Sequence, residues 1–341
     1  MKIGIIGYQG SGKSTLFQWL TGEVPDPSLG HKSQSAMATV PDERIGPLCE
    51  VYQPKKVTRA SLEIVDTPGL SRTHEGSAQK LALIREAGCL VFVVTDVDGS
   101  DPLADLKNFA DDLLIADLEI LAGRLERLRD QVRKPRPNRD ELQAELVALE
   151  PLHAELEAGR SLRDFELNPD QQRAIRSFQL FSEKPRLVVI NVADDEGNSE
   201  RYLQGASQEA PRFAVALGLQ LELAQLPEGE REEFCLEMDV QQIGTDSLLR
   251  QIMHTSGQML FFTAGEKEVR TWMLRQGGTA LEAADGIHTD LARGFIRAET
   301  MNVDDLIRLG SEREVKAARL VRQEPKDYVI QDGDVITVRH N

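Results

Sequence analysis

Apolar and polar positions divide the chain into stretches of different period. Residues 1 to about 115 alternate short apolar runs, KIGIIG, SLEIVDTPG and CLVFVVTD, each ending in polar or glycine-rich residues, with helix-period segments between them. That alternation predicts an α/β domain with a mainly parallel sheet. From Leu114 the pattern changes: Leu114, Leu118, Leu121, Leu125, Leu128 and Val132 are spaced four, three, four, three, four, which is a heptad seam. KPRPNRD breaks the seam, because Pro135 and Pro137 cannot continue a helix, and Leu142, Leu146, Leu149, Leu152 and Leu156 resume it. The two halves predict an antiparallel helical hairpin. PRLVVINVADD then reads as a return to the sheet, which makes the hairpin an insertion. From about Gly257, KEVRTWMLRQGGT, GFIRAETM and DYVIQDGDVITVRHN predict a small α+β domain, with Asp332-Gly333 as a hairpin turn. The expected boundaries are 1–115 with 185–256, then 116–184 for the hairpin, then 257–341.

The first strand runs into Gly7-Tyr8-Gln9-Gly10-Ser11-Gly12-Lys13-Ser14, which fits G-x-x-x-x-G-K-[ST] between an apolar strand and an amphipathic helix. In this phosphate-binding loop, glycines let backbone N–H groups curl round α- and β-phosphates and a helix start adds its positive end. Lys13 would reach β- and γ-phosphate oxygens, and the Ser14 hydroxyl would ligate Mg²⁺. Gly10, Ser11, Gly12, Lys13, Ser14 and Thr15 are thus the candidate phosphate contacts. Val65-Asp66-Thr67-Pro68-Gly69 ends the next strand with D-x-x-G: Asp66 would hold the metal through water and the Gly69 amide would contact the γ-phosphate. In an open parallel sheet, ligands sit beyond the carboxyl ends of the strands, where the loops at Gly7, Asp66 and Asp96 emerge. Together the two motifs indicate a switch-type NTPase. A phosphoryl-transfer kinase would want a lid with arginines and an acceptor pocket, and neither is visible.

Leu70 follows Gly69 where Ras-like enzymes place a water-orienting glutamine. His74 is the nearest polar candidate for catalysis, although a lone histidine in such a loop also reads as a solvated residue. The base site is expected from Asn191-Val192-Ala193-Asp194, which keeps the asparagine and acid of N-K-x-D with Val192 where a lysine would pack along the base. Asp194 could accept two hydrogen bonds from guanine, and LQLELAQL shows no S-A-K signature. Residues 24–36 are polar and turn-rich, suiting a loop beside the phosphates.

Composition narrows the class. The 341 residues, 40% hydrophobic, can bury a sizeable core. No apolar run approaches a membrane span, and the opening residues lead directly into a strand, which leaves no room for a secretory leader and predicts the cytoplasm. Cys49, Cys89 and Cys235 are far apart and suggest neither disulfides nor a zinc cluster. A formal net charge of -16 argues against a broad nucleic-acid-binding surface. A local patch remains: Arg129, Arg133, Lys134, Arg136 and Arg139 gather at the hairpin tip, where they suit phosphate contacts or form a solvated loop.

GSGKSTLF, VDTPGL, the hairpin followed by SLRDFELNPDQQRAIRSFQLFSEKP, NVADDE, and FFTAGEKEVRTWMLRQGGTALEAADGIHTDLARGFIRAE with a closing YVIQDGDVI together resemble the YchF, or Obg-like ATPase, family of P-loop proteins. The likeness spans nearly the whole chain. It implies a P-loop NTPase (GTPase-like) domain and a C-terminal TGS domain of β-grasp fold. It also implies a cytosolic, ribosome-associated nucleotidase that favours ATP over GTP, because relatives carry N-x-x-E. Relatives usually read N-V-G-K-S in the loop, a threonine in switch I and a histidine after the strand matching CLVFVV. Here the switch candidates are Ser33, Ser35 and Thr39, TDVDGSDPLAD has no histidine, and Asp194 replaces the glutamate. Arg275, His288, Asp290 and Arg297 are candidate contacts in the C-terminal domain, although IHTD also reads as a self-satisfied turn. Two classes of function follow: a slow ATPase acting as a switch, or a nucleotide-dependent adaptor for a ribosome or other RNA-rich partner in which hydrolysis is incidental.

Overall fold

A computed structural model of the chain describes residues 1–29, 32–70, 77–193, 200–203, 210–238, 240 and 242–341. The strands are β1 Lys2–Ile6, β2 Gln34–Thr39, β3 Val57–Thr58, β4 Ser61–Asp66, β5 Cys89–Thr95, β6 Arg186–Asn191, β7 Arg212–Val215, β8 Gln258–Ala264, β9 Val269–Arg275, β10 Phe295–Asn302, β11 Arg322–Glu324 and β12 Asp334–His340. The helices that bear on function are α1 Lys13–Thr21, α2 Ile45–Tyr52, α3 Ser77–Arg85, α4 Pro102–Val132, α5 Arg139–Glu157, α6 Pro169–Ile175, α7 Glu200–Leu203 and α8 Leu217–Gln225. Contacts divide the chain into two units, one of Met1–Ala36 with Glu63–Ile243 and one of Met37–Leu62 with Gly244–Asn341.

The first unit is built on a sheet of order β2-β4-β1-β5-β6-β7. Its β1–β4, β1–β5, β5–β6 and β6–β7 pairs are parallel, so β1, β4 and β6 deliver their carboxyl ends to one edge. All seven residues of β5 are buried, as a strand covered on both faces requires. β2 begins at Gln34, so the end of the polar stretch 24–36 is strand rather than loop.

The heptad seam forms the expected hairpin of α4 and α5, but α4 starts well before Leu114. Pro102 occupies its first turn and the Asp101 carboxylate caps it, accepting from the Leu103 and Ala104 N–H groups. Phe109 and Leu113 pack into the apolar cluster of the sheet, while Leu121, Leu125 and Leu128 pack against Leu142, Leu149, Leu152 and Leu156. One continuous helix therefore belongs to both the sheet and the arm, and the expected boundary at 115 falls inside it. Pro151 lies within α5 at the cost of a backbone hydrogen bond, held helical by leucines on either side.

A buried charged node joins α3 to the root of this arm. The Arg85 guanidinium is 2.8 Å from the Asp117 carboxylate, which is fully buried on α4 and also accepts from the Ser182 N–H at 2.7 Å. Arg85 lies 4.0 Å over the Phe181 ring, and Lys184 donates to the carbonyls of Arg85 and Ala87. Arg85, Asp117 and Lys184 each have a partner, the condition under which buried charge is tolerated.

The second unit has a sheet of order β11-β10-β12-β8-β9-β3. β12 lies between β10, antiparallel, and β8, parallel. The expected hairpin at Asp332-Gly333 is therefore not formed. The turn instead ties to β8, with the Leu260 N–H donating to Asp332 Oδ1 at 3.1 Å and the Gly333 N–H donating to the Leu260 carbonyl at 3.0 Å. Residues far upstream join this unit: β3 pairs parallel with β9, and Ile45 and Leu48 of α2 pack with Phe262, Val269 and Leu306.

Cys89 opens β5 without exposure, and burial pushes its thiol up to about 12, with the Leu90 N–H and Lys184 opposing the shift. A raised value favours the neutral thiol over the reactive thiolate at pH 8. Cys49 and Cys235 are partly exposed. Timed alkylation at pH 8 with mass mapping should label those two first and Cys89 only as its unit unfolds; equal rates for all three would contradict the packing of β5.

Candidate functional site

The turn after β1 is a cradle built round a buried cation. Lys13 is only 6% exposed and its Nζ donates to the Tyr8 carbonyl at 2.8 Å. Burial pushes its ammonium down to about 8, Asp66 pulls the other way, and Lys80 adds to the fall. Gly12 precedes α1 in the left-handed region, at φ 99°, and a methyl there would lie 2.7 Å from Asn191 Nδ2. Only glycine meets both conditions.

Beside the lysine, the Ser14 hydroxyl donates to Asp66 Oδ2 at 2.7 Å. Asp66 is buried and its Oδ1 has no hydrogen-bond partner among the described residues. Burial raises its carboxyl above the usual range, while Ser14 and Lys13 hold it back. A buried carboxylate oxygen without a partner, next to a hydroxyl, is the hard-oxygen donor set that a small divalent cation takes. Lys13, Ser14 and Asp66 line a cavity of about 420 Å³ together with Gln9, Gly10 and Gly69.

The D-x-x-G turn is clamped onto this cradle. The Leu70 N–H donates to the Gly7 carbonyl at 3.1 Å and the Gln9 N–H to the Leu70 carbonyl at 3.0 Å. The Leu70 side chain is 2% exposed within the apolar cluster, so no polar group at this position faces the cavity. Lys80 of α3 donates to the Gly69 carbonyl at 2.8 Å.

The expected base site is partly assembled. Asn191 ends β6, where its Nδ2 lies 3.4 Å from the Ser11 carbonyl and its Oδ1 accepts from the Leu217 N–H at 3.1 Å. Its amide ties the phosphate loop to the β7–α8 turn. Val192 does not lie along a ligand surface: it is 5% exposed and packs with Phe92, Val94 and Tyr202, just beyond the end of β6, whose four central residues are buried as well. LQLELAQL lies mostly within α8, so the turn in the S-A-K position is Val215-Ala216-Leu217. Asp194 and His74 lie outside the described residues.

Within 24–36 the residues expected from the sequence are Ser33 and Ser35, yet Val24, Pro25, Asp26, Pro27, Lys32 and Gln34 are the ones that line the cavity. Ser33 and Ser35 line a separate cavity of about 170 Å³, and Thr39 is exposed near the end of β2. Ser11 lies in the loop with its hydroxyl buried and unpartnered, and Thr15 lines the main cavity. Lys32 and Lys80 carried no motif. Their only signal was a positive charge in segments flanking the phosphate and D-x-x-G loops.

The remaining candidates lie elsewhere. Arg133, Lys134, Arg136 and Arg139 are exposed at the α4–α5 turn, where only Arg133, 3.7 Å from Asp130, has an ion pair among the described residues. In the second unit, Arg275 pairs with Glu282 at 3.0 Å and Arg297 is exposed on β10. The Asp290 N–H donates to His288 Nδ1 at 3.1 Å, so IHTD forms a turn that caps its own short helix.

Two family models match the chain: one described as a 50S ribosome-binding GTPase over residues 2–121, and YchF-GTPase_C, described as a protein of unknown function (DUF933), over residues 259–341. The chain is 33% identical to the Ribosome-binding ATPase YchF of Bacillus subtilis, covering 99% of this chain and 98% of the relative. It is 34% identical to Obg-like ATPase 1 of Oryza sativa subsp. japonica, covering 100% and 92%. Among solved structures, that of the Schizosaccharomyces pombe YchF GTPase matches at a TM-score of 0.84 and 26% identity, covering 99% of this chain and 97% of that one.

A methyl at Gly69 would lie 2.9 Å from the Gln9 Cα and 3.0 Å from Lys13 Nζ. Backbone blocks one side and the buried ammonium the other. Gly69→Ala should therefore weaken triphosphate binding by about tenfold or more, equivalent to roughly 1.4 kcal/mol. Calorimetric titration checks this, and parent-like affinity would mean that Gly69 does not border the ligand.

Proposed function

The chain belongs to the YchF, or Obg-like ATPase, family, and from that premise we propose that it is a ribosome-associated, Mg²⁺-dependent ATPase with slow intrinsic turnover, acting as a nucleotide-controlled switch. The observation that carries the reading is the buried Lys13 ammonium beside the Ser14–Asp66 pair in one cavity. A desolvated cation next to an unsatisfied carboxylate oxygen suits a metal-bound polyphosphate, whose charges match both.

In this reading Lys13 sets its charge against β- and γ-phosphate oxygens, and the Gly10–Thr15 backbone cradles the α- and β-phosphates. Ser14 and Asp66 hold Mg²⁺, which when bound supplies further positive charge to the phosphate oxygens. The Gly69 amide borders the γ-phosphate. Slow turnover follows from Leu70: its side chain is packed in the core, so the position that orients water in Ras-like enzymes contributes no polar group. His74 in the adjoining segment would then matter little.

ATP is favoured over GTP through family membership, and Asp194 retains a carboxylate able to accept from guanine. The partner surface is the exposed basic turn between α4 and α5, which fits an anionic surface such as ribosomal RNA. A curated relative is named as ribosome-binding. An adaptor that hydrolyses nothing would use the same turn and differ in turnover alone.

Titration with Mg²⁺ and each nucleotide should show ATP bound more tightly than GTP by less than about tenfold, or 1.4 kcal/mol. Lys13→Ala should abolish most triphosphate binding or turnover, and much tighter GTP binding by the parent would reverse the proposed preference. Replacing Arg133, Lys134, Arg136 and Arg139 together by alanine should cut co-sedimentation with ribosomes and flatten its salt dependence, with ATP affinity unchanged. Sedimentation equal to the parent at low and moderate salt would remove the turn as the partner surface.

A further inference from the structure

Gly69 is flanked by two ammonium groups from different parts of the first unit. Lys13 Nζ comes within 3.0 Å of where a methyl on Gly69 would stand, and Lys80 Nζ donates to the Gly69 carbonyl at 2.8 Å. Lys13 belongs to the phosphate motif, whereas Lys80 belongs to none. Lys80 is half-buried on α3 and no carboxylate pairs with it among the described residues. A cation held by a neutral carbonyl, close to a second cation, lies in a field that a phosphate anion would relieve. Gly69 borders Lys13 in the cavity, which is where the D-x-x-G reading puts the γ-phosphate.

We propose that Lys80 is a catalytic residue of ATP hydrolysis: its ammonium passes from the Gly69 carbonyl to the γ-phosphoryl oxygens and stabilises the charge that gathers there as the phosphoryl group transfers. This rests on the reading of the site as an ATPase and deepens it. No glutamine directly follows Gly69, and the buried Leu70 in that place offers nothing to the reacting group. A positive charge supplied in cis does part of what an arginine finger does in related NTPases. In the step itself, the oxygen of water bonds to the γ-phosphorus and the bond from that phosphorus to the β–γ bridging oxygen breaks. Its electron pair remains on the ADP β-phosphate, and ATP⁴⁻ with water becomes ADP³⁻, HPO₄²⁻ and a proton released to solvent. Lys80 acts as a fixed charge and takes no part in that proton transfer.

The geometry also explains why the lysine waits on Gly69. Lys80 donates to the carbonyl of the residue whose amide borders the γ-phosphate in this reading, and it does not itself line the cavity, so its side chain must rotate to deliver the charge. Flexible stems with three rotatable donors are suited to this role.

The test compares the full chain with Lys80→Gln, which can still donate to the Gly69 carbonyl but carries no charge, and Lys80→Arg, which keeps the charge. With Mg²⁺, Lys80→Gln should lower kcat by about a hundredfold while its affinity for ADP stays within about threefold of the parent. Affinity for ADP with aluminium fluoride, which imitates the transferring phosphoryl group, should fall with kcat. Lys80→Arg should retain kcat to within about tenfold. Turnover by Lys80→Gln equal to that of the parent would overturn the proposal and leave Lys80 as a tether for Gly69. Equal losses of ADP and aluminium-fluoride affinity would overturn it too, showing a structural role. A parent whose turnover does not exceed that of Lys13→Ala would sink the ATPase reading itself, a different failure, and Lys80 with it.

Discussion

A lysine ammonium kept almost out of water at the first strand–helix junction is the constraint round which the first unit is arranged. Burying a cation is costly unless its surroundings supply oxygen. The Tyr8 carbonyl does so directly, and Asp66, delivered by β4, supplies the nearby negative charge. The loop can curl this tightly only because Gly12 accepts a left-handed conformation against Asn191. That asparagine in turn holds the loop through Ser11 and the β7–α8 turn through Leu217. β1, β4 and β6 end at one sheet edge, and each contributes a backbone or side-chain contact to the same few atoms.

The same unit contains a second buried charge system, and α3 is the element common to both. Near its start Lys80 holds Gly69; at its end Arg85 holds Asp117 on α4. A pair of this kind, with a fully buried carboxylate and a mostly buried guanidinium, does little for net stability compared with an apolar replacement. With Ser182 and Phe181 also engaged, α3 and the root of the hairpin move together or the carboxylate loses its bonds. α3 thus carries contacts to both the D-x-x-G turn and the root of the arm.

What could be read from the sequence is what obeys a local rule. The phosphate loop, D-x-x-G and the leucine seam are fixed by glycine conformation, strand ends and a 3.5-residue period, and all appear as elements of the structure. The early start of α4 was hidden because its first turns, with Phe109 and Leu113, follow the sheet's requirements rather than the seam's. Val192 has the motif position of a ligand contact, yet it is packed in the apolar cluster of the sheet just past β6. Asp332-Gly333 has the composition of a hairpin turn but bonds to β8, a partner some seventy residues away in the chain. Pairing of β3 with β9 is longer-range still, Val57 meeting Val269. Lys80 was unreadable for another reason: a lysine on a helix surface is ordinarily solvated, and only the path of the chain brings its ammonium to Gly69.

Charge distribution accounts for how an acidic chain can carry a basic contact surface. The net charge of -16 is a sum over the whole chain, whereas a partner at the α4–α5 turn feels only charges within about one Debye length, roughly 8 Å at physiological ionic strength. α5 has 19 residues and at 1.5 Å per residue carries its turn about 28 Å from its far end, more than three such lengths. Arg133, Lys134, Arg136 and Arg139 are exposed there, together with Asp140 and Glu141 in the first turn of α5, where the positive helix end favours acids, and Asp130, which pairs with Arg133. The arm thus separates its tip electrostatically from the acidic sheet-bearing part of its own unit. Shortening it would bring the same four cations under the field of those acids without changing the sequence of the turn.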